Sequence, residues 1–556
     1  MSGTRTAPAQ GRWLLVGALI GVGLCVAVPC VSLLRESFRR GEVAWTFGNY
    51  HAVLGSGDTW RLLGTTLAFS SFVAVLSGSA GFLFAWMAAR TSMPLRRLMP
   101  VGVLLPYLIP PTLGAICWIF FLSPSNGIVN VLMAPLFGPR LFNVYSFPGM
   151  VFVESLYTFP LSFTFFYAAL ATLNPSLEEA SMVSGAGALR TFLRVTLPAM
   201  WPVIASVATV MFIVGFESFD VAWFLGYPAK IYTISIQVFL LTRYNYPPDI
   251  GSAAVFGVVA LIAALLMVWT YRRITREQGR FVAITGKGYQ TGALDIGSWG
   301  HAGAVAFWLV ILITGALPLL LLVGIAFDAI AWPFRLRGTV DMRNFAWVFT
   351  DEQTRTALVN TVLLAVGGAF AVVAITFVIG WVIVRTRLRG RAVLDYLCFL
   401  PFGFPGTVLA VGIITALIGT PVYNSLWILL LAYGLKFLPY SLRNVSNSLL
   451  QVHPELEEAS YISGASLYTT MRRVLLPLCA PGLFGAWSLL FIVFGRQFSL
   501  PVMLSSSGTE VLTIMLFQEF DAGEMGHVAA FGVLLVGFSL PCLAFAAWMS
   551  RGLRAL

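Results

Sequence analysis

The stretch Val305-Ala-Phe-Trp-Leu-Val-Ile-Leu-Ile-Thr-Gly-Ala-Leu-Pro-Leu-Leu-Leu-Leu-Val-Gly-Ile-Ala-Phe327 contains no charged residue. An uninterrupted apolar run of roughly 20 residues is what an α-helix needs to cross a bilayer core. A transmembrane barrel strand would instead show about ten residues of alternating polarity. Working outward, comparable runs lie near residues 13–34, 62–89, 99–122, 148–172, 200–224 and 251–271. Six more lie near 303–328, 357–384, 393–418, 424–450, 478–503 and 527–549. The reading is an all-α polytopic membrane protein with twelve transmembrane helices. The 556 residues are 58% hydrophobic and only 10% charged, against roughly 25% charged in soluble domains. Disordered, collagenous, disulfide-scaffold and nucleic-acid-binding readings fall with those figures.

The net charge of +11 is topological rather than a sign of an anionic partner, because cations collect in cytoplasmic loops. With both termini cytoplasmic, the inside segments hold Arg90, Arg96 and Arg97, then Arg272 to Lys287, then Arg385, Arg387, Arg389 and Arg391. The loop 329–356 sits uneasily outside, since it carries Arg335, Arg337, Arg343 and Arg355. Residues 13–34 are too long for a signal-peptide core and lack a small-residue cleavage site, so they read as a retained first helix. The six cysteines fall in apolar spans without C-x-x-C spacing and read as small buried residues.

A repeat organises the chain. Asn174-Pro-Ser-Leu-Glu-Glu-Ala-Ser-Met-Val-Ser-Gly-Ala186 recurs 279 residues later as His453-Pro-Glu-Leu-Glu-Glu-Ala-Ser-Tyr-Ile-Ser-Gly-Ala465. Upstream, Pro106, Pro110 and Thr112 match Pro401, Pro405 and Thr407 at an offset of 295, so the first half has 16 extra residues, in the loop 123–147. Both motifs lie between the fourth and fifth spans of their halves, which makes the halves parallel repeats lining one path. The domains are thus 1–271, a first transmembrane half; 272–302, a glycine-containing cytoplasmic linker; and 303–556, a second transmembrane half.

Each motif reads as two short helices broken by a glycine. Asn174 suits a cap and Pro175 the first helical position, and the acids fall in the first turns, where they favour the helix dipole. Gly185 and Gly464 supply the stop, and Pro198 and Pro477 close the second helix. A lone amphipathic elbow would be unremarkable on a membrane surface, but two at matched depth imply two docking elements for two copies of a partner.

Glu179-Ala180-Ser181-x3-Gly185-x9-Val195-x-Leu197-Pro198, repeated as Glu458-Ala459-Ser460-x3-Gly464-x9-Val474-x-Leu476-Pro477, resembles the EAA motif of permease subunits of bacterial ABC importers. Ser181 and Ser460 depart from it, standing where that family usually has Ala. The resemblance implies a permease in the bacterial inner membrane, with the type I importer fold. Two copies of a cytoplasmic ATPase would dock on Glu178, Glu179, Ala180, Ser181 and Gly185 in one half, and on Glu457, Glu458, Ala459, Ser460 and Gly464 in the other. A periplasmic or extracellular substrate-binding protein would deliver the cargo. Phe216-Glu-Ser-Phe-Asp220, Leu225-Gly-Tyr-Pro-Ala229 and Arg280-Phe-Val-Ala-Ile-Thr-Gly-Lys-Gly-Tyr289 resemble the ferric-iron permease group most, whose relatives move 2-aminoethylphosphonate, thiamine or polyamines.

No G-x-x-x-x-G-K-[ST] loop occurs, and Gly286-Lys287-Gly288 lacks the spacing and the hydroxyl. ATP and Mg are therefore expected in the partner ATPase, with no cofactor bound by this chain. The four histidines are scattered and no HExxH or G-x-S-x-G appears, which weighs against the remaining class, an intramembrane enzyme. Ionisable residues within spans are candidates for the translocation path or gate. Glu217 and Asp220 fall opposite Arg496 and Ser499 in the repeat, with Gln497 opposite Ser218, so one half offers acid and the other base. Glu154, Tyr157 and Lys436 form a second set, with Tyr157 the repeat mate of Lys436. If the cargo is ferric ion, the carboxylates and phenolate are its natural hard ligands. The Phe-rich run Phe159–Tyr167 reads as lipid-facing.

Overall fold

The computed structural model describes residues 9–41, 45–138, 140–173, 176–278, 294 and 296–552. The N-terminal cap expected at Asn174 and Pro175 lies outside them, as does most of the linker, including the Arg280–Tyr289 motif. Apart from a two-stranded pairing of Ile330–Ala331 with Arg335–Leu336, the named elements are helices. Hydrocarbon offers the backbone no hydrogen-bond partners, so spanning segments must satisfy themselves internally.

Among the described residues, seven helices are long and apolar enough to cross a membrane unaided, and three bent pairs bring the total to ten if each counts as one span. Helices Leu426–Gln451 and Met525–Gly552 occupy the other two predicted segments. The former falls short on apolarity because it carries Lys436 and Arg443. Two spans read as single helices are bent, Arg96–Leu108 meeting Pro111–Leu122 at 84° and Arg391–Gly403 meeting Gly406–Leu417 at 112°, and the second arm of the first motif, Ala188–Ala199, meets the span Trp201–Glu217 at 71°. Pro110, Pro405 and Pro202, which cannot donate to the preceding turn, lie at these breaks.

The chain forms two compact units that are not its two sequence halves. One comprises residues 1–55, 238–261 and 345–556, and the other 56–237 and 262–344. In the first, helix Ala9–Phe38 packs on Gly406–Leu417, and Gly412 lies so close to Pro29 that a Cβ would sit 2.8 Å from its carbonyl oxygen. In the second, Ser298–Ile311 packs beside Met99–Gly102, where a Cβ on Gly102 would sit 2.9 Å from the Trp308 ring. The first span of each half is therefore grouped with the body of the other half.

Within each unit the second and fourth spans cross tightly through small residues, as membrane helices without a hydrophobic drive to associate require. Ser162 donates to the Ser77 carbonyl at 2.7 Å, over Gly81. At the matched crossing Thr376 and Ser441 share a hydrogen bond of 2.6 Å. The Phe-rich run is mostly interior, not lipid-facing: Phe159, Phe163 and Phe166 are buried, and only Phe165 among them is exposed. Phe163 stacks on Tyr167 and also meets Phe307. The arginines that sat awkwardly in loop 329–356 are partly neutralised, because Asp328 binds both Arg337 and Arg343, and Asp341 binds Arg343. The extra residues of the first half form helix Ile128–Phe137, stapled by buried Asn130, which donates to the Ser123 and Phe142 carbonyls and accepts from the Phe142 amide.

Candidate functional site

The repeated motif folds twice into the same elbow. Its first arm is Ser176–Val183 in one copy and Pro454–Ile462 in the other. A glycine at φ +84° (Gly185) or +81° (Gly464) ends each arm, a conformation that glycine adopts without penalty. The amides of Gly185 and Ala186 donate to the carbonyls of Met182 and Ser181, and those of Gly464 and Ala465 to Tyr461 and Ser460. That pair of bonds is the Schellman closure, which satisfies carbonyls the helix end would otherwise strand. The second arm follows at Ala188–Thr191 or Leu467–Thr470 and runs into a π turn, Phe192–Thr196 or Met471–Leu475.

Ser181 and Ser460 tie the two arms together. Each hydroxyl lies 2.9 Å from a threonine hydroxyl of the second arm, Thr191 or Thr470. The departure from the EAA pattern thus has a structural use that an alanine would not serve.

Exposure alternates identically in the two first arms, residue for residue, from 176 to 186 and from 455 to 465. Leu177, Ala180 and Val183 face outward, as do Leu456, Ala459 and Ile462, with Val183 90% and Ile462 87% exposed. Glu179 and Glu458 are half-buried. Glu178 and Glu457, expected on the docking surface with their neighbours, are buried on the opposite side. One residue is about 100° of helix, so adjacent acids need not share a face.

Each buried acid meets an arginine. Arg90 ends the second span and lies 3.4 Å from Glu178, while Arg385 lies 2.8 Å from Glu457, all four side chains being less than a tenth exposed. Arg90 also donates to the carbonyls of Leu170 (2.6 Å) and Leu173 (2.7 Å) at the end of the fourth span. Arg385 donates to the matched carbonyls of Leu449 (2.6 Å) and Val452 (2.5 Å). Sequence reading counted both arginines only as topological charges. The signal for more was present: they share the 295 offset of the proline landmarks, as their acids share the 279 offset of the motif.

The second contact to each acid differs between copies. Glu178 accepts from the Thr196 hydroxyl at 2.5 Å, and Glu457 from the Trp381 indole at 3.2 Å. In the second elbow Tyr461 replaces Met182, and burial first, then the neighbouring Glu457, pushes its phenol pKa up.

The path candidates divide between the units. In one, buried Glu154 accepts from Ser218 at 2.7 Å, and Tyr157 lies so close to Gly114 that a Cβ there would meet its ring at 2.3 Å. Glu217 closes helix Trp201–Glu217, and Asp220 follows it, half-buried. In the other unit, buried Lys436 donates to the Phe404 carbonyl at the break of the bent third span, which helps relieve the interrupted backbone. Arg496 follows Leu476–Gly495 directly, at the helix end that matches Glu217, and Gln497 donates to Ser499 at 2.9 Å. Among the described residues, no three of the His, Cys, Asp and Glu side chains converge as a metal site.

Comparison with known proteins gives two matching regions to one family, binding-protein-dependent transport system inner membrane component, at residues 77–278 and 372–555. Each region contains one elbow. The ferric transport system permease protein FbpB of Actinobacillus pleuropneumoniae is 26% identical over 97% of this chain and 79% of its own length. The Fe(3+)-transport system permease protein FbpB 2 of Haemophilus influenzae is 23% identical over 95% of this chain and 96% of its own. The inner membrane ABC transporter permease protein YcjO of Escherichia coli is 30% identical over 48% of this chain and 94% of its own.

Proposed function

Since this chain belongs to the family of binding-protein-dependent transport system inner membrane components, we propose that its two elbows dock two copies of a cytoplasmic ATPase and that its cargo is ferric iron. The chain is a multi-pass membrane permease of an ABC importer with two fused halves. The observation that carries the docking reading is the outward apolar row of Leu177, Ala180 and Val183, reproduced with the same exposure by Leu456, Ala459 and Ile462. Exposed apolar rows on short helices outside the spans mark interaction surfaces. Two alike suit two identical grooves.

ATP and Mg are held by the ATPase in this reading, and the chain itself catalyses no reaction. Both termini and both elbows then face the cytoplasm, with the halves 1–271 and 303–556 joined by the linker 272–302. A substrate-binding protein delivers the cargo on the other side. The iron assignment is supported by full-length relatives named as ferric permeases. Glu154, Glu217 and Asp220 offer the hard oxygen donors a ferric ion prefers during passage.

The test is uptake into proteoliposomes containing the permease, its ATPase and the binding protein encoded beside it. Ferric ion should be taken up with ATP, and excess 2-aminoethylphosphonate, thiamine or polyamine should not compete. Competition by one of these, with no ferric uptake, would reassign the cargo and leave the docking reading standing.

A further inference from the structure

We propose that Arg90 and Arg385 are positioning residues that couple each elbow to the transmembrane body, so that the elbow moves only together with the ends of the second and fourth spans. The inference rests on the reading that the elbows dock an ATPase.

One guanidinium joins three elements in each half. Arg90 belongs to the last turn of the second span, its Nη2 bonds two carbonyls at the end of the fourth, and its Nη1 meets Glu178 of the elbow. Arg385 joins the same three elements at the matched positions, its Nη2 bonding the two carbonyls and its Nε meeting Glu457. A helix end strands its last carbonyls, and two of them are held by a planar cation whose donors are fixed in direction. The ion pair is buried, where separating the charges leaves each without compensation. Tilting the elbow away from the spans therefore means breaking the pair, and tilting it with the pair intact carries both span ends along.

The two copies indicate which part of the arrangement is essential. The acids' second contacts have diverged: Thr196 serves Glu178, but its mate is Leu475, and Trp381 serves Glu457 instead. The arginine, the acid and both carbonyl bonds are retained in each copy. A static brace could be satisfied by any local bond, whereas a transmitting joint must connect the same three elements at both docking points.

The experiment uses the assembled complex in proteoliposomes and reads cargo imported per ATP hydrolysed, at matched amounts of bound ATPase. Replacing both arginines (Arg90→Lys with Arg385→Lys) keeps the charge and loses the rigid fork. Import per ATP should fall about tenfold, within the usual span of coupling effects, while maximal hydrolysis stays near wild type. Changing one half alone should give an intermediate ratio, and the exchange Arg90→Glu with Glu178→Arg should recover part of what Arg90→Glu loses. Import and hydrolysis falling together at an unchanged ratio would reduce the arginines to structural residues and overturn the proposal, as would wild-type ratios throughout. Should the variants fail to assemble, spin labels at Leu83 and Ser184 in the otherwise native complex decide the matter. Their separation should be the same without ATP and in the vanadate-trapped state, and a change would show the elbow sliding over the span and overturn the proposal. A wild-type complex that neither holds nor activates an ATPase would overturn the docking reading and this inference together.

Discussion

The two elbows are nearly superimposable in exposure and in their glycine closure, yet the fifth spans that leave them differ. The first is bent by 71° between Ala199 and Trp201, whereas Leu467–Gly495 runs unbroken even though Pro481 holds the position matching Pro202. Repeats that diverge within the bilayer and agree at its edge face two kinds of constraint. Inside, each half has only to pack against its own neighbours, and Gly81 over Ser162 in one half can become Thr376 bonded to Ser441 in the other. On the proposed docking reading, both elbows present one shape to one kind of partner, so the closure, the outward row and the buried ion pair persist while accessory bonds drift.

Removing one acid tests the comparison most severely. Glu178→Ala and Glu457→Ala each leave a buried guanidinium uncompensated, which costs about 3–5 kcal/mol when a buried pair is broken from one side. Denaturation midpoints of the purified protein should fall in both variants by similar amounts. A drop confined to one half would break the equivalence of the two joints.

The accessory bonds should separate the copies. Thr196→Val removes a bond to Glu178, and Trp381→Phe one to Glu457, each worth about 1.5–3 kcal/mol for a bond to a charged group. The reciprocal change Leu475→Thr should destabilise, because Leu475 is fully buried and the Trp381 indole already serves Glu457, so the new hydroxyl gains no partner to offset the lost packing. Stabilisation by Leu475→Thr as large as the Thr196→Val loss would show that Glu457 is under-satisfied.

Much of this site was legible in the sequence because its chemistry is local. Gly185 and Gly464 follow helical segments and precede second arms, and the left-handed stop they predict is the one observed. The joints were not legible from local pattern, because Arg90 and Glu178 are far apart in sequence and an arginine beside a span has an ordinary topological reading. Bends were missed for a different reason: Pro110 and Pro405 sit inside continuous apolar runs, and apolarity reports burial in lipid or protein but not helix direction. The grouping of each first span with the other half is invisible to repeat analysis, which orders the chain by similarity rather than by contact.

The glycine stops offer a functional contrast. Gly185→Val and Gly464→Val put a β-branched residue at a positive φ, a strain of about 1–3 kcal/mol. A Cβ at either position meets nothing within 4 Å, so the backbone alone bears the strain. The protein should remain in the membrane but retain less ATPase on purification and lose uptake. Asparagine at the same positions should be far milder, since it tolerates the left-handed region. If valine and asparagine behaved alike, strain would not be the cause.

The smallest effect is expected at the serines. In Ser181→Ala or Ser460→Ala, the buried hydroxyl of Thr191 or Thr470 loses its 2.9 Å partner, which costs about 0.5–1.5 kcal/mol for a neutral hydrogen bond. The two serine–threonine pairs share no hydrogen-bond partner, so the double variant should show the sum of the single losses, as independent sites do. Uptake should stay close to wild type, because the glycine closure and the outward row are untouched and alanine is the usual residue of the motif. The measurement is the thermal midpoint of the single and double variants beside their uptake rates. A loss in the double variant well beyond the sum would mean that the two elbows stabilise one another, and the picture of two independently closed copies would have to give way to one in which closure at either elbow depends on the other.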